Sequence, residues 1–314
     1  MSGWVDVSKV VSSRGVRLRA DLILLAVAVV WGSSFVAQRV AAAHLGPLLY
    51  NGTRFLLGAL TLLPLVGHRL RALTRFEWWG GALVGLLLFG AANLQQAGLR
   101  FTTAGKAGFI TGLYVVLVPL LLALAWRQWP RWSAWVASLL AAAGLFLLSG
   151  VGRFTLAPGD GWELAGAVLW ALHLILIGRL APRVDVLRLA LVQYLVCGLL
   201  SMVLGMGLEA HTLEGLAVVW WAVVYTGVLS VGLGFTLQVV GQRRAPATDA
   251  AIILSLEAVF AALFGWLLLG ETLAAGQLLG CGLMLAGMVL AQVSSFSQPA
   301  SGDMIRPDRF LPRK

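Results

Sequence analysis

Charge is what this chain has least of. Only 11% of its 314 residues are Asp, Glu, Lys or Arg and 60% are hydrophobic, whereas a soluble domain carries roughly 25% charged residues. A water-facing surface on a fold of this size needs more charge than that. An ordinary soluble enzyme is therefore excluded, and membrane lipid is the solvent for most of the surface. Cysteine is scarce too: Cys197 and Cys281 both lie inside apolar runs, so neither a disulfide framework nor a cysteine-based metal site is indicated. Acidic residues are few, 13 against 23 basic ones, for a net charge of +10. The basic residues fall in short clusters between apolar runs rather than on one patch, so nucleic acid is not an expected partner. The four histidines, His44, His68, His173 and His211, are scattered, and there is no HExxH, no GxxxxGK[ST] phosphate loop and no nucleophile elbow. No metal, cofactor or catalytic residue is assigned, and ATP-driven pumping by this chain alone is not expected.

Long hydrophobic runs are what the chain has instead. A spanning helix needs roughly 20 mainly apolar residues, and cutting the sequence at its polar clusters gives ten such segments: 21–40, 47–66, 77–99, 105–126, 132–150, 162–180, 187–207, 215–240, 248–269 and 272–292. The connections are too short for a folded soluble domain, so any ligand site lies among the helices. The first run follows Lys9, Arg14, Arg17 and Arg19, like the basic front of a signal peptide. It is longer than the apolar region of about 7–15 residues of such a peptide and continues through Trp31, Phe35 and Val36, so it reads as a retained span. Cytoplasmic loops collect Lys and Arg. With the N-terminus inside, eighteen of the 23 basic residues fall on the inner side, and only Arg39, Arg100, Lys106 and Arg153 on the outer. Both termini are then cytoplasmic, with tails at 1–20 and 293–314.

The chain also resembles itself. Laid over its second half at an offset of 143, Gln95 meets Gln238, Gly98 meets Gly241, Ala104 meets Ala247 and Ala107 meets Ala250; at a slightly different offset, AVVW at 28–31 matches AVLW at 167–170. The expected architecture is two five-helix halves, 21–150 and 151–292. An odd number of spans in each half turns the second copy upside down, and such an inverted repeat offers alternating access around a midplane site. A duplication that merely builds a bundle is the alternative.

Five stretches carry a resemblance: WGSSF at 31–35, RFLLGAL at 54–60, AGKAGFITGLYVVLVP at 104–119, APATDAA at 245–251 and, most recognisably, LEAVFAALFGWLLLGE at 256–271. Over residues 20–292 the chain resembles the EamA-type branch of the drug/metabolite transporter superfamily. The resemblance implies an all-α bacterial cytoplasmic-membrane protein of ten helices in two inverted five-helix halves, exporting amino acids, related metabolites or foreign compounds. Many members have proline after the glutamate of the ninth helix. Here that position is Ala258, so the kink is not expected, whereas Pro119 in the fourth helix removes one backbone bond.

The polar residues inside the spans are the candidates for function. Glu257 lies near the middle of its span, where a carboxylate must face protein or a wet cavity; it is either a proton-coupling or gating residue or a structural acid. Arg54 and Lys106 both enter from the outer side, and either snorkels to the headgroups or acts inside, Arg54 in coupling or gating and Lys106, at a positive helix N-terminus, on a substrate carboxylate. Asn93, Gln96 and Arg100 share one helical face, directed at an aqueous pathway or at interhelical hydrogen bonds. Trp170 and His173 are one turn apart, with Trp31 as the counterpart of Trp170. With Tyr114 as a weaker candidate, these give a substrate pathway of Trp31, Asn93, Gln96, Lys106, Tyr114, Trp170 and His173. Glycines four apart, Gly81 with Gly85, Gly108 with Gly112 and Gly276 with Gly280, suit close helix packing, and the last pair suits a homodimer equally. The expected activity is secondary transport that exports a small-molecule substrate, an amino acid or related small metabolite, by alternating access. Import of a vitamin or nucleobase-like metabolite, export of drug-like compounds and an intramembrane enzyme are the rivals.

Overall fold

The computed structural model describes residues 7–101, 104–149, 158–210, 213–269 and 274–296, which are helical or in short connections with no strand among them. The helices are α1 (Val7–Ala42), α2 (Pro47–Val66), α3 (Arg75–Gly98), α4 (Ala104–Gly112), α5 (Tyr114–Trp126), α6 (Trp132–Leu148), α7 (Pro158–Leu180), α8 (Val186–Leu208), α9 (Leu213–Tyr225), α10 (Thr236–Gln242), α11 (Ala247–Leu254), α12 (Glu257–Leu269) and α13 (Ala275–Phe296). A π-helical segment, Thr226–Phe235, joins α9 to α10. Eight helical stretches among the described residues are long and apolar enough to cross a membrane, some of them made of two of these helices in succession. The segments expected at 77–99 and 132–150 are also helical, as α3 and α6. They fall outside those eight: α6 has only 17 residues, and α3 carries Asn93, Gln95 and Gln96 near its end. The tails at 1–6 and 297–314 lie outside the described residues.

Exposed Leu60, Leu124, Leu139, Val203 and Leu268 make the outer surface apolar, as lipid requires. Trp129 and Trp132, 76% and 79% exposed, stand among Arg127, Gln128 and Arg131, where an interfacial aromatic belt is found. The interior buries large side chains such as Tyr50, Phe55 and Tyr194 against many alanines.

Helix ends are closed by distant partners. At the start of α2, Pro47 has no N–H to leave unmet, and the backbone N–H groups of Leu48 and Leu49 both donate to the Glu209 carboxylate at 2.9 Å. A negative group at a helix N-terminus is favourable, and this one follows the last residue of α8, so it also ties the two helices. At the start of α3, Thr74 and Glu77 form a capping box, and Glu77 further accepts from the backbone of Asp185 and pairs with Arg188.

Three of the expected spans are not simple helices. The segment 105–126 breaks at Leu113, and 248–269 breaks at Ser255 and Leu256. Each break is a tightened turn: Leu113 N–H donates to Ile110 and Val116 N–H to Leu113, as Leu256 donates to Ile253 and Ala258 to Ser255, the three-residue spacing of a 3₁₀ turn. The Ser255 hydroxyl donates back to the Ile252 carbonyl at 2.8 Å, a contact that bends helices. The break beside Glu257 thus forms without the proline that Ala258 replaces. The third irregular span, 215–240, contains the π segment and a kink at Val219.

α2 packs along α8, and α6 along α13. α3 lies against α7 and α8, while α1 lies against α12, the π segment and α10. Glycine permits the closest of these approaches. A Cβ on Gly144 would stand 2.5 Å from the Gly280 carbonyl oxygen, and one on Gly280 would stand 2.6 Å from that of Gly144. Of the glycine pairs read from the sequence, Gly81, Gly85, Gly112 and Gly280 meet other helices of the same chain, whereas Gly108 and Gly276 have open space beside them. Gly280→Val therefore forces α6 and α13 apart and costs about 1–3 kcal/mol or more, the scale of overpacking. Gly276→Val leaves stability nearly unchanged. Thermal unfolding of the two purified variants in detergent checks the contrast.

Candidate functional site

The breaks and the π segment surround one cavity. It is lined by Trp31, Ser34, Phe35 and Gln38 of α1, Arg54 of α2 and Gln95 of α3, Thr111 of α4 and Tyr114 of α5. Trp170 and Leu174 of α7, Ser230 and Phe235 of the π segment, Gln238, Leu254 and Glu257 complete it. One wall is aromatic. The Phe235 ring lies 4.6 Å from that of Trp31 and stacks on Trp170 at 5.8 Å, with Phe55 behind it at 5.8 Å. The Trp31 indole N–H donates to the Ser230 carbonyl at 3.2 Å, so the irregular backbone of the π segment holds a wall residue in place.

The polar groups are few and each has a distinct setting. Tyr114 begins α5 and Glu257 begins α12, so both stand first after a helix break. The Tyr114 hydroxyl donates to Glu257 Oε1 at 3.0 Å. Thr111, three residues before Tyr114, donates to Glu163 Oε2 at 2.9 Å, and Gln95 reaches the same hydroxyl at 3.4 Å. Arg54 is 3% exposed. Its guanidinium lies 5.1 Å from the centroids of both the Tyr50 and Phe55 rings, and its Nε donates to Asn51 Oδ1 at 2.7 Å. Among the described residues neither Arg54 nor Glu257 takes part in an ion pair. Arg54 does not snorkel: α2 carries it inward, and the charge stays inside.

Of the residues read from the sequence, Trp31, Arg54, Tyr114, Trp170 and Glu257 line the cavity. Asn93 and Gln96 do not. Asn93 accepts from Asn51 and donates to Ser201, each at 2.9 Å, and Gln96 donates to the Gln38 carbonyl at 3.1 Å. Both are spent on contacts between helices, and Arg100 of the same stripe is exposed. The stripe fails as a pathway because that face of α3 is packed against α1, α2 and α8. Its neighbour Gln95 turns inward instead. His173 is buried behind the wall, edge-on to Trp170 at 5.7 Å and bonded to Gln193 at 3.0 Å. Lys106 belongs to α4, but its side chain lies outside the described part of the structure. Ser34, Gln38, Gln95, Thr111, Ser230, Phe235 and Gln238 were not singled out by composition or spacing. The signal for some of them was the self-alignment: Gln95 and Gln238, Thr111 and Leu254, and Tyr114 and Glu257 all stand 143 apart, and all six line the cavity.

At the arginine-rich end, Arg17 of α1 bonds both Asp21 and Asp249, and Arg131, just before α6, bonds Asp249 at 3.3 Å and the Ser294 carbonyl of α13 at 3.3 Å. Asp249 stands five residues, about one and a half helical turns, before the lining residue Leu254. The network therefore ties four elements together just beyond the cavity.

The EamA-like transporter family matches this sequence twice, over residues 18–150 and 157–292. The chain belongs to the EamA-like transporter family. A relative from Archaeoglobus fulgidus, named an uncharacterized transporter, is 31% identical over 277 residues, covering 88% of this chain and 87% of that protein. The uncharacterized inner membrane transporter YedA of Escherichia coli K12 is 26% identical over 296 residues, covering 88% and 92%. A solved crystal structure with 22% identity superposes with a TM-score of 0.74 over 88% of this chain and 97% of the other, which shows the fold. With its apolar helices, this EamA-like chain is a multi-pass protein of the cytoplasmic (inner) membrane. In this family member Asp249 has a side chain 2% exposed and is shared by two arginines, whereas the Arg69–Asp185 pair is 46% and 24% exposed. Breaking a buried pair costs far more than breaking an exposed one. Asp249→Ala lowers the unfolding temperature in detergent much more than Arg69→Ala, and parallel melts of the two variants check it.

Proposed function

We propose that this protein is a secondary transporter that exports amino acids or related small metabolites across the cytoplasmic membrane by alternating access. The observation that carries the reading is the Tyr114–Glu257 hydrogen bond, which joins the breaks of two corresponding helices at the wall of a central cavity. Irregular backbone at membrane depth is tolerated where it is buried in protein or lines a cavity, and discontinuous helices at a repeat interface are where transporter substrates bind.

The packing supports ten spans in two inverted halves, 21–150 and 151–292, with both tails in the cytoplasm. α2 pairs with its counterpart α8, and α6 with its counterpart α13. α3 lies on α7 as the π segment and α10 lie on α1, and α1 lies on α11 and α12 as α7 lies on α4 and α5. A two-fold relation in the membrane plane requires this exchange of partners. The substrate's apolar part rests on Trp31, Phe35, Trp170 and Phe235, while amides and hydroxyls of Gln38, Gln95, Ser34 and Gln238 meet its polar part. The Arg17–Asp249–Arg131 network closes the cytoplasmic end, and its release opens the cavity to that side. Glu257 couples the cycle to protons: a carboxyl bonded to a tyrosine hydroxyl between two half-helices alters their contact when it gains or loses a proton. An intramembrane enzyme is the rival of another class, and product turnover in detergent without flux is the result that favours it.

Proteoliposomes loaded with amino acids test this. An acidic compartment on the side opposite the cargo accelerates efflux, and Glu257→Gln abolishes that dependence while the protein still unfolds cooperatively. Tyr114→Phe reduces efflux with the dependence retained. Uptake driven by an inward proton gradient overturns export, and unchanged coupling in Glu257→Gln makes the residue structural.

A further inference from the structure

Arg54 has a setting that the transport reading leaves unexplained. It is the only cation among the described lining residues, and it lies seven residues into α2, about 10 Å from the helix start at 1.5 Å per residue. A guanidinium at that depth is costly unless it meets a counter-charge, water or an aromatic face. The aromatic faces are present, as Tyr50 and Phe55. The counter-charge is not: Glu257, the one acid in the lining, is bonded to Tyr114 and makes no ion pair with Arg54.

The guanidinium is also aimed. Asn51 Oδ1 holds its Nε, the Asn51 amide nitrogen donates to the Ala92 carbonyl at 3.0 Å and to Asn93 Oδ1, and Asn93 donates to Ser201. This line of buried amides holds the arginine at Nε, and the Tyr50 hydroxyl is a further, neutral partner of its side chain. The paired Nη atoms, the edge that matches a carboxylate bidentately, face no carboxylate among the described residues. Resting on the reading of this cavity as the transport site, we infer that Arg54 binds the anionic group of the substrate and that the substrate is a monocarboxylate with an aromatic or apolar body. A single guanidinium balances one negative charge, and the wall of Trp31, Phe35, Trp170 and Phe235 fits such a body. Neutral nucleobase-like molecules and purely cationic compounds are then poor ligands.

Matched acid and amide probes test the inference. Purified full-length protein in detergent is heated with indole-3-acetate or indole-3-acetamide, and with phenylacetate or phenylacetamide. A ligand that binds the folded state raises the apparent unfolding temperature. The acids raise it and the amides do not. Arg54→Gln weakens acid binding by about tenfold or more, as expected for loss of a charge-assisted contact, and Arg54→Lys keeps part of it. Should Arg54→Gln fail to fold, Asn51→Ala, which releases Nε, also weakens the acid response. Equal responses to acid and amide, no response to either acid, or an unchanged response in Arg54→Gln overturns the inference. Flux of neutral molecules without acid binding overturns it while leaving the transporter reading intact. Acid binding that depends on Arg54, with no flux of any probe in proteoliposomes, keeps the site and overturns the transporter reading.

Discussion

In hydrocarbon, a backbone N–H or carbonyl with no partner costs several kcal/mol, and most of this architecture follows from that constraint. It makes the described spans helical, and it dictates where a helix is allowed to fail. Three irregular stretches of the spans, the two tightened turns at Leu113 and at Ser255–Leu256 and the π segment over 226–235, border the central cavity, while the kink at Val219 is packed in a buried cluster with Ala37, Ala41 and Tyr50. At the cavity a side chain, a neighbouring helix or a polar ligand satisfies the groups that the regular ladder leaves. Irregular backbone is kept away from lipid, at the cavity wall or inside packed protein.

Ends of helices obey the same rule by borrowing. The Glu209 carboxylate completes the start of α2 from the far end of α8, and Glu77 serves both its own helix and the start of α8. These bonds bring residues more than a hundred positions apart into register at both faces of the bundle. The cavity between is thus framed by electrostatic ties at its ends and by close apolar packing along its sides.

The membrane setting was legible in the sequence because hydropathy, helix length and the distribution of arginine are averages over many residues, and averages survive local error. The site was only partly legible. Trp31, Arg54, Tyr114, Trp170 and Glu257 stood out as large or charged residues in apolar runs. Gln95 did not, because spacing alone makes Asn93, Gln96 and Arg100 the polar face of its helix. Which of several amides turns inward is decided by the neighbours: Asn51 and Ser201 take Asn93, the Gln38 carbonyl takes Gln96, and Gln95 is left for the cavity. The break at Ser255 was likewise hidden, since the expectation was tied to a proline and the structure uses a serine hydroxyl. The offset of 143 carried more than its few identities suggested, for it pairs residues that line the same cavity.

The tight seam between Gly144 and Gly280 has a consequence for evolution within such a scaffold. Among the described residues none of α6 or α13 contributes to the cavity lining, yet these two helices are pressed together backbone to backbone. With the cavity as the proposed transport site, substitutions in the wall alter what the protein accepts while the seam keeps its assembly intact, and substitutions in the seam lower how much protein survives while its preferences stay the same. Selectivity and abundance are therefore written in separate parts of the chain, and one can drift without the other.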